Sequence, residues 1–432
     1  MAAKTEDLTE LSNIISTNVK NYLSHVPTPP TLRPTPPVPV TDEVAAEARE
    51  QLLLACRRVI SLVGGPIETV MGMSAAFHQT TAMKLAYDMK LAHNVPLDGS
   101  PIALGELAAK TGASEETIVR VMRALTLQDV FVETAPGYFA HTSGSAVIGI
   151  PGIEALIGHW TDESFASAPH ISDALRENNF QPPEDSRKLA FNRAFDTNKN
   201  FFEYAYTEDK PMGARFSQAM TAAGTARGPY NLVAVYEPLR AAPKGTTLVD
   251  IGGGIGHVAI AAAQKFPNLN CVVQDIGMVV SEGRDGLPEE LKDRVEFQEN
   301  DFFKGQPIGG PGVYYYLRHI LHDHPDPWVS LSRPISWEKG DSLGGILSHI
   351  ASVMDSSSRI LIDEDIMNEH MGPEGNKMTI TLDFQMLVMC NGKERTEAQW
   401  AALLKSADER LVIEKVWRAK RNDSGIIEAR LA

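Results

Sequence analysis

Cysteine is scarce in this chain of 432 residues: there are three, Cys56, Cys271 and Cys390. Their odd number and wide spacing exclude a disulfide frame and a thiolate zinc site, and they read as buried thiols of a reducing compartment. Positive charge is also in deficit. Forty Lys and Arg against 55 Asp and Glu leave a net charge of −15. That excludes a nucleic-acid surface, where a basic field must displace counterions from phosphates. Uninterrupted apolar runs of the roughly 18 residues needed to span a bilayer are absent. The N-terminus, MAAKTEDLTELSNIIS, carries acidic residues and lacks the apolar core of a secretory signal. A cytoplasmic globular protein with no membrane or nucleic-acid partner is expected, and its length suits two domains.

Proline, by contrast, is abundant in one place. His25 to Val40, HVPTPPTLRPTPPVPV, cannot donate ladder or helix hydrogen bonds and reads as an extended linker, or less readily as an SH3-type ligand. Before it, Leu8, Leu11, Ile15 and Val19 recur at helical spacing, so residues 1–25 suit a short amphipathic helix that packs on a partner or frays. Residues 1–41 therefore form a helix-and-linker segment. From 42 to 150 the pattern is helical and ends in a hairpin. Ala103 to Lys110 is one helix. Thr111 and Gly112 make a turn. Ser114 caps a second helix, which carries Ile118, Val119, Met122, Leu125 and Leu127 toward a core. Val130 to Glu133 and Tyr138 to His141 read as strands around Ala135-Pro136-Gly137. Helix–turn–helix followed by a hairpin is a winged helix. Arg120 and Arg123 are outweighed by Glu115, Glu116 and Asp129, which favours scaffolding or dimerisation over DNA recognition.

Residues 151–240 are mainly helical and rich in aromatics, which serve a core or line a pocket for a flat ligand. From 241 to 432, strands alternate with helices: TTLVDI, CVVQDI, RVEFQEND, GVYYYLRHIL and RILIDEDI are the strand candidates. This alternation predicts an α/β fold with a doubly wound, Rossmann-like sheet.

Leu248 to Gly256, LVDIGGGIG, joins the first of these strands to a helix. Glycines such as Gly252 and Gly253 remove the Cβ atoms that would keep a ligand from the backbone. Asp275 ends the next strand, where a carboxylate can hold two ribose hydroxyls. These residues alone leave two cofactors open, because Gly254 to Ala259 also fits the dinucleotide pattern G-x-G-x-x-A. Two later features favour S-adenosylmethionine over NAD. Asp301 and Phe302 offer a carboxylate and an apolar neighbour for an adenine, and Arg318 and His322 sit at the carboxyl end of the fourth strand, where open α/β sheets bind ligands.

LVDIGGGIG, VVQDI, ENDFF, LRHILHDHPD, LIDEDI and NGKERT follow one another in the order found in class I small-molecule O-methyltransferases. The chain resembles that family from about Gln51 to its end, and is most similar to fungal polyketide O-methyltransferases of the sterigmatocystin type. The resemblance implies a homodimer built through a winged-helix dimerisation domain, preceding a domain that binds S-adenosylmethionine. It implies that Gly252 and Gly253 approach the cofactor, Asp275 binds its ribose, Asp301 and Phe302 hold adenine, and Arg318 lies beside it. It also implies that His322 is the catalytic base and that Glu364 and Glu394 flank it. A phenolic hydroxyl of a polyketide is the expected acceptor, and no metal is required.

The chemistry suits these residues. A phenol, with a pKa near 10, needs a neighbouring base at neutral pH, and histidine can serve. A carboxylate can fix its tautomer and stabilise the imidazolium. Asp250 is a candidate carboxylate near the cofactor amine. Glu394 has an alternative use, as an ion-pair partner of Lys393 or Arg395. Met378, Phe384, Met386 and Met389 suit either an acceptor pocket or a helix core. Two departures from the family stand out: Pro327 to Gly340 looks like an extra segment, either a loop or a retained intron, and His324 replaces the usual tryptophan. An inactive cofactor-binding partner protein is the alternative that the extra segment suggests.

Overall fold

Helical periodicity dominates the first of two units, Met1–Asp162, and strand–helix alternation dominates the second, Glu163–Ala432. A computed structural model describes residues 7–36, 38–182, 188–226, 230–330, 335–336, 342–343, 345–372, 375–419 and 423–432.

In the first unit, helix α1 (Leu8–His25) starts at Asp7, whose carboxylate accepts the Thr9 N–H at 2.9 Å. It packs on the long helix α2 (Glu43–Ala75); Leu11 is buried on α1, and Ala45, Ala48 and Ala55 are buried on α2. The intervening linker is anchored where the Ser143 N–H donates to the Leu32 carbonyl at 2.8 Å. Helices α3 (Phe77–Asp88) and α4 (Leu91–Asn94) lead to the short strand β1 (Ile102–Ala103) and helix α5 (Leu104–Thr111). Gly112 turns the chain in the left-handed region, and the Ser114 side chain caps helix α6 (Glu115–Thr126). Strands β2 (Phe131–Ala135) and β3 (Tyr138–His141) complete a three-stranded sheet in the order β1-β3-β2. This is the expected winged helix. One detail differs: α6 buries Ile118, Val121, Met122 and Leu125. Those positions share one face at spacing i, i+3, i+4, i+7. Leu127 lies beyond the helix end, off that face, and is 83% exposed.

The second unit is organised by one sheet. Its strands are β4 (Thr246–Ile251), β5 (Leu269–Asp275), β6 (Val295–Glu299), β7 (Tyr314–Arg318), β10 (Arg359–Met367), β12 (Leu411–Arg418) and β13 (Ser424–Leu431), after the small pair β8 (Ile335–Ser336) and β9 (Ser342–Leu343) is set apart. A short β11 (Arg395–Thr396) runs beside β10. The order is β12-β13-β10-β7-β4-β5-β6, parallel from β10 to β6, with β13 antiparallel to both its neighbours. Alternate residues enter opposite cores: Tyr315 and Leu317 one, Tyr316 the other. A sheet covered on both faces explains the near-continuous apolar strands read from the sequence. Register matters most for function. Ile251 pairs with Gln274 and with Leu317, and Arg318 pairs with Asp363. The residues that follow β4, β5 and β7 therefore emerge at one edge.

The aromatic segment is mostly core: Phe191 and Phe201 are buried together with Met389, and Phe195, Phe202, Tyr204 and Phe216 pack around them. The extra segment needs correction at its start. Residues Pro327 to Ser330 belong to helix Asp326–Ser330, Val329 is fully buried, and the Ser330 carbonyl accepts from Ser348 at 3.0 Å. Of the remainder, 331–334 and 337–340 lie outside the described residues.

Candidate active site

The glycine loop leaves β4 over a buried carboxylate. A Cβ on Gly253 would stand 2.7 Å from Asp250 Cγ, and one on Gly252, which has φ +67°, would stand 2.5 Å from Ile320 Cδ1. Both N–H groups donate to the Gln274 carbonyl, at 2.8 and 3.2 Å. Asp250 is buried, and its Oδ2 has no hydrogen-bond partner among the described residues. Burial pushes its carboxyl up to about 7, against the lowering effect of the Ala259 N–H and Arg318. A buried acid with one unpartnered oxygen, beneath a cradle that a side chain would fill, fits a cationic ligand group. Asp275 completes this edge: its oxygens accept the Gly254 and Ile276 N–H groups, each at 2.8 Å. Burial raises its pKa against those two bonds.

An amide ladder behind the loop had no counterpart in the sequence reading. Gln274 Nε2 donates to Gln298 Oε1 at 2.8 Å and to Gln306 Oε1 at 3.1 Å, and Gln306 Nε2 returns a bond to Gln274 Oε1 at 2.9 Å. It ties the end of β5 to β6 and to the loop that carries Asp301 and Phe302. Asp301 accepts the Phe303 N–H at 3.0 Å and pairs with Lys304 at 3.2 Å. Phe302 lies 3.8 Å from where a Gly252 Cβ would be. Arg318, at the end of β7, sits over the Tyr230 ring at 5.0 Å.

After β7 the chain enters a short 3-10 turn, Leu321–Asp323, which points His322 inward. Its Nδ1 lies 2.7 Å from Glu394 Oε1. Glu364 has a different contact. Its Oε1 accepts the backbone N–H groups of Ile320, Leu321 and His322 at 3.2, 3.1 and 3.4 Å, so it holds the turn. Its Oε2 is 3.5 Å from His322 Nδ1 and 3.4 Å from His319 Nδ1. On the other ring nitrogen, Nε2, Asp323 Oδ1 stands at 3.6 Å. Burial works to lower the pKa of His322, but Glu364, Glu394 and Asp323 outweigh it and raise the ring to about 10. Its neighbours go the other way: burial holds His319 and His324 down near 3.

The NGKER loop clamps this turn. A side chain on Gly392 would overlap the His322 carbonyl oxygen, and the Lys393 N–H donates to that oxygen at 3.0 Å. Glu394 is not the partner of Lys393 or Arg395. Both cations bind Asp326, at 2.5 and 2.9 Å, and the fully buried Arg395 also donates to the Leu321 and His324 carbonyls at 3.0 and 2.8 Å. Trp328 stacks on His324 with ring planes 9° apart, filling space beside the residue that replaces the family's tryptophan. Met389 is buried in the aromatic core and Met386 is also buried, whereas Met378 and Phe384 are exposed. The metal-ligating atoms of His319, His322 and Glu364 lie within 4.8 Å of one another and could hold an ion, although His322 Nδ1 is already engaged by Glu394.

The O-methyltransferase domain model matches residues 169–408, and the O-methyltransferase dimerisation domain matches residues 71–148. The chain belongs to the O-methyltransferase family. It is 37% identical over 440 residues to O-methyltransferase xanE of Aspergillus fumigatus, covering 100% of this chain and 98% of that protein. Sterigmatocystin 8-O-methyltransferase of Aspergillus parasiticus is 33% identical over 386 residues, covering 88% of this chain and 86% of that one. The crystal structure of OxaC with SAH and oxaline aligns at a TM-score of 0.79 and 25% identity, covering 98% of this chain and 99% of that chain. This O-methyltransferase uses S-adenosylmethionine and is of the kind found in fungal secondary metabolism. The two-cofactor ambiguity of the glycine loop is thereby resolved against NAD.

Proposed function

We propose that this enzyme methylates a phenolic hydroxyl of an aromatic polyketide, with His322 as general base, and that it works as a homodimer. One observation carries the base assignment: the 2.7 Å contact between His322 Nδ1 and Glu394 Oε1. That bond commits the Nδ1 proton to Glu394 and leaves Nε2 to accept the acceptor's proton. Bound S-adenosylmethionine supplies a methyl group already activated on a sulfonium. Asp275 is assigned to the ribose, Asp301 and Phe302 to the adenine, and Gly252 and Gly253 to the close approach of backbone. Asp250 and Arg318 border the same pocket, the acid facing the cofactor's cationic end. Glu394 orients the ring and stabilises the imidazolium as it forms, while Glu364 keeps the turn in place. Glu364, Glu394 and Asp323 favour the imidazolium, so the ring holds the acceptor's proton well once an unprotonated Nε2 has taken it. The paired His322 and Glu394 favour turnover over an inactive partner role.

The test is incubation with S-adenosylmethionine and a panel of polycyclic phenols and aliphatic alcohols, read by mass spectrometry. Products heavier by one methylene should form from phenols. Products from the alcohols alone, or from no acceptor, would overturn the reading. Full activity after EDTA treatment is expected, since the base and the sulfonium suffice; activity restored only by an added metal ion would contradict this.

A further inference from the structure

The histidine turn gathers more ligating atoms than a proton transfer needs. His319 takes no part in the reaction proposed above. It follows β7 at φ +50°, in the left-handed region, and its ring lies 5.0 Å from that of His322. Its side chain is 23% exposed, whereas that of Glu364 is fully buried. Glu364 commits Oε1 to the three N–H groups of the turn. Its Oε2 accepts no hydrogen bond among the described residues, and neither does Glu394 Oε2. Buried carboxylate oxygens without a donor are costly, and a cation offsets that cost.

We infer that His319, His322, Glu364 and Glu394 form a zinc site that switches the enzyme off, an inference that rests on His322 as the base. Ligands about 2.0–2.1 Å from a tetrahedral zinc ion stand about 3.4 Å from one another. Glu364 Oε2 is 3.4 Å from His319 Nδ1 and 3.5 Å from His322 Nδ1. Ligand atoms of all three residues lie within 4.8 Å of one another. Glu394 Oε1 is closer, 2.7 Å from His322 Nδ1, because a hydrogen lies between them. An ion in that hydrogen's place makes Glu394 the fourth ligand. Two imidazoles with two carboxylates suit zinc, whereas magnesium and calcium prefer a larger set of oxygens. The ion acts through the proton it displaces. Zinc on Nδ1 leaves the neutral ring with its one hydrogen on Nε2, the nitrogen that must take the acceptor's proton. An imidazolium gives its Nδ1 proton to solvent and keeps the one on Nε2; a neutral ring moves its hydrogen from Nδ1 to Nε2. Methyl transfer stops in both cases, while the glycine loop assigned to the cofactor is untouched.

The experiment uses the full chain, cleared of metal with EDTA and dialysed. Cobalt(II), a coloured stand-in for zinc, is titrated into the parent and into His319→Asn, since Asn tolerates the left-handed backbone. Visible bands of a tetrahedral site should appear in the parent and be bleached by zinc. By calorimetry, His319→Asn should bind zinc about tenfold more weakly or worse. Zinc should inhibit methyl transfer by the parent over the range in which it binds, with affinity for S-adenosylhomocysteine unchanged. His319→Asn should need about tenfold more zinc for the same inhibition. Magnesium should neither bleach the bands nor inhibit. Equal zinc affinity in parent and variant would overturn the site and leave the base assignment standing. Zinc that binds more weakly to His319→Asn, yet leaves the parent's rate unchanged, would overturn the switch and His322 as the base together. If His319→Asn loses helicity by circular dichroism, anomalous diffraction from parent crystals soaked in zinc decides. A peak between His319, His322 and Glu364 supports the inference, and peaks only elsewhere overturn it.

Discussion

The glycine loop after β4 and the histidine turn after β7 leave neighbouring strands, yet they are held by different means. The loop is a local object. Gly252 and Gly253 donate to one carbonyl, that of Gln274, and stand over one acid, Asp250. The turn is held from far along the chain: Glu364 accepts three of its N–H groups, and Lys393, Glu394 and Arg395 reach it from a loop 72 residues after His322. A binding edge made of backbone needs little more than glycine and strand register. A base that must be aimed and tuned needs a shell of buried charges, each with its own partner.

This contrast separates the consequences of mutation. His322→Ala should lower kcat by roughly 10²–10⁴-fold, the range for loss of a general base, with calorimetric affinity for S-adenosylhomocysteine unchanged. Equal loss of both would merge the two halves. Gly392→Ala forces a side chain into the His322 carbonyl, so about 1–3 kcal/mol of stability should be lost, together with kcat. Thermal unfolding and steady-state kinetics read the two effects, and a variant with parental stability and rate would remove the clamp from the account. Gln274→Leu acts on the other half. It breaks the amide ladder, so KM for S-adenosylmethionine should rise by about five-fold, equivalent to about 1 kcal/mol, while kcat for the acceptor holds. Gln274→Asn should recover part of the loss; a fall in kcat with KM unchanged would place Gln274 in the chemical half instead.

The same contrast explains what could be read from the sequence. LVDIGGGIG is contiguous, and its strand–turn–helix grammar is visible in the order of residue types. The winged helix was legible for the same reason, since a cap, a 3.6-residue period and a hairpin are local signals. The error at Leu127 came from extending that period past the helix end. The histidine shell was less open. Its members were nominated by family resemblance, and nothing in spacing distinguishes an acid that holds a turn from one that orients a ring. Glu364 reaches the turn because β7 and β10 pair in one register, and Glu394 arrives just ahead of the short β11 that runs beside the end of β10. Asp326 shares Lys393 and Arg395 across a separation of nearly 70 residues that no local pattern announces, and the Gln274 ladder spans segments whose alignment only the folded sheet supplies. The helix at the start of the extra segment is not visible in the sequence, since Pro327 to Ser330 is too short to show a helical period, although Val329 fills the core.

The central claim is that Glu394 tunes and aims His322, and the pH dependence of kcat/KM tests it most directly. Carboxylates around His322 favour its protonated form and raise it to about 10, whereas the base must be unprotonated to act. The rate of the parent enzyme should therefore rise with pH through the alkaline range. Glu394→Gln removes one of the charges that raise the ring, so its rising limb should move to lower pH as its maximal rate falls. Ionisation of a free phenol is the same for both enzymes and cannot produce that displacement. Superimposable limbs in parent and variant would contradict the account.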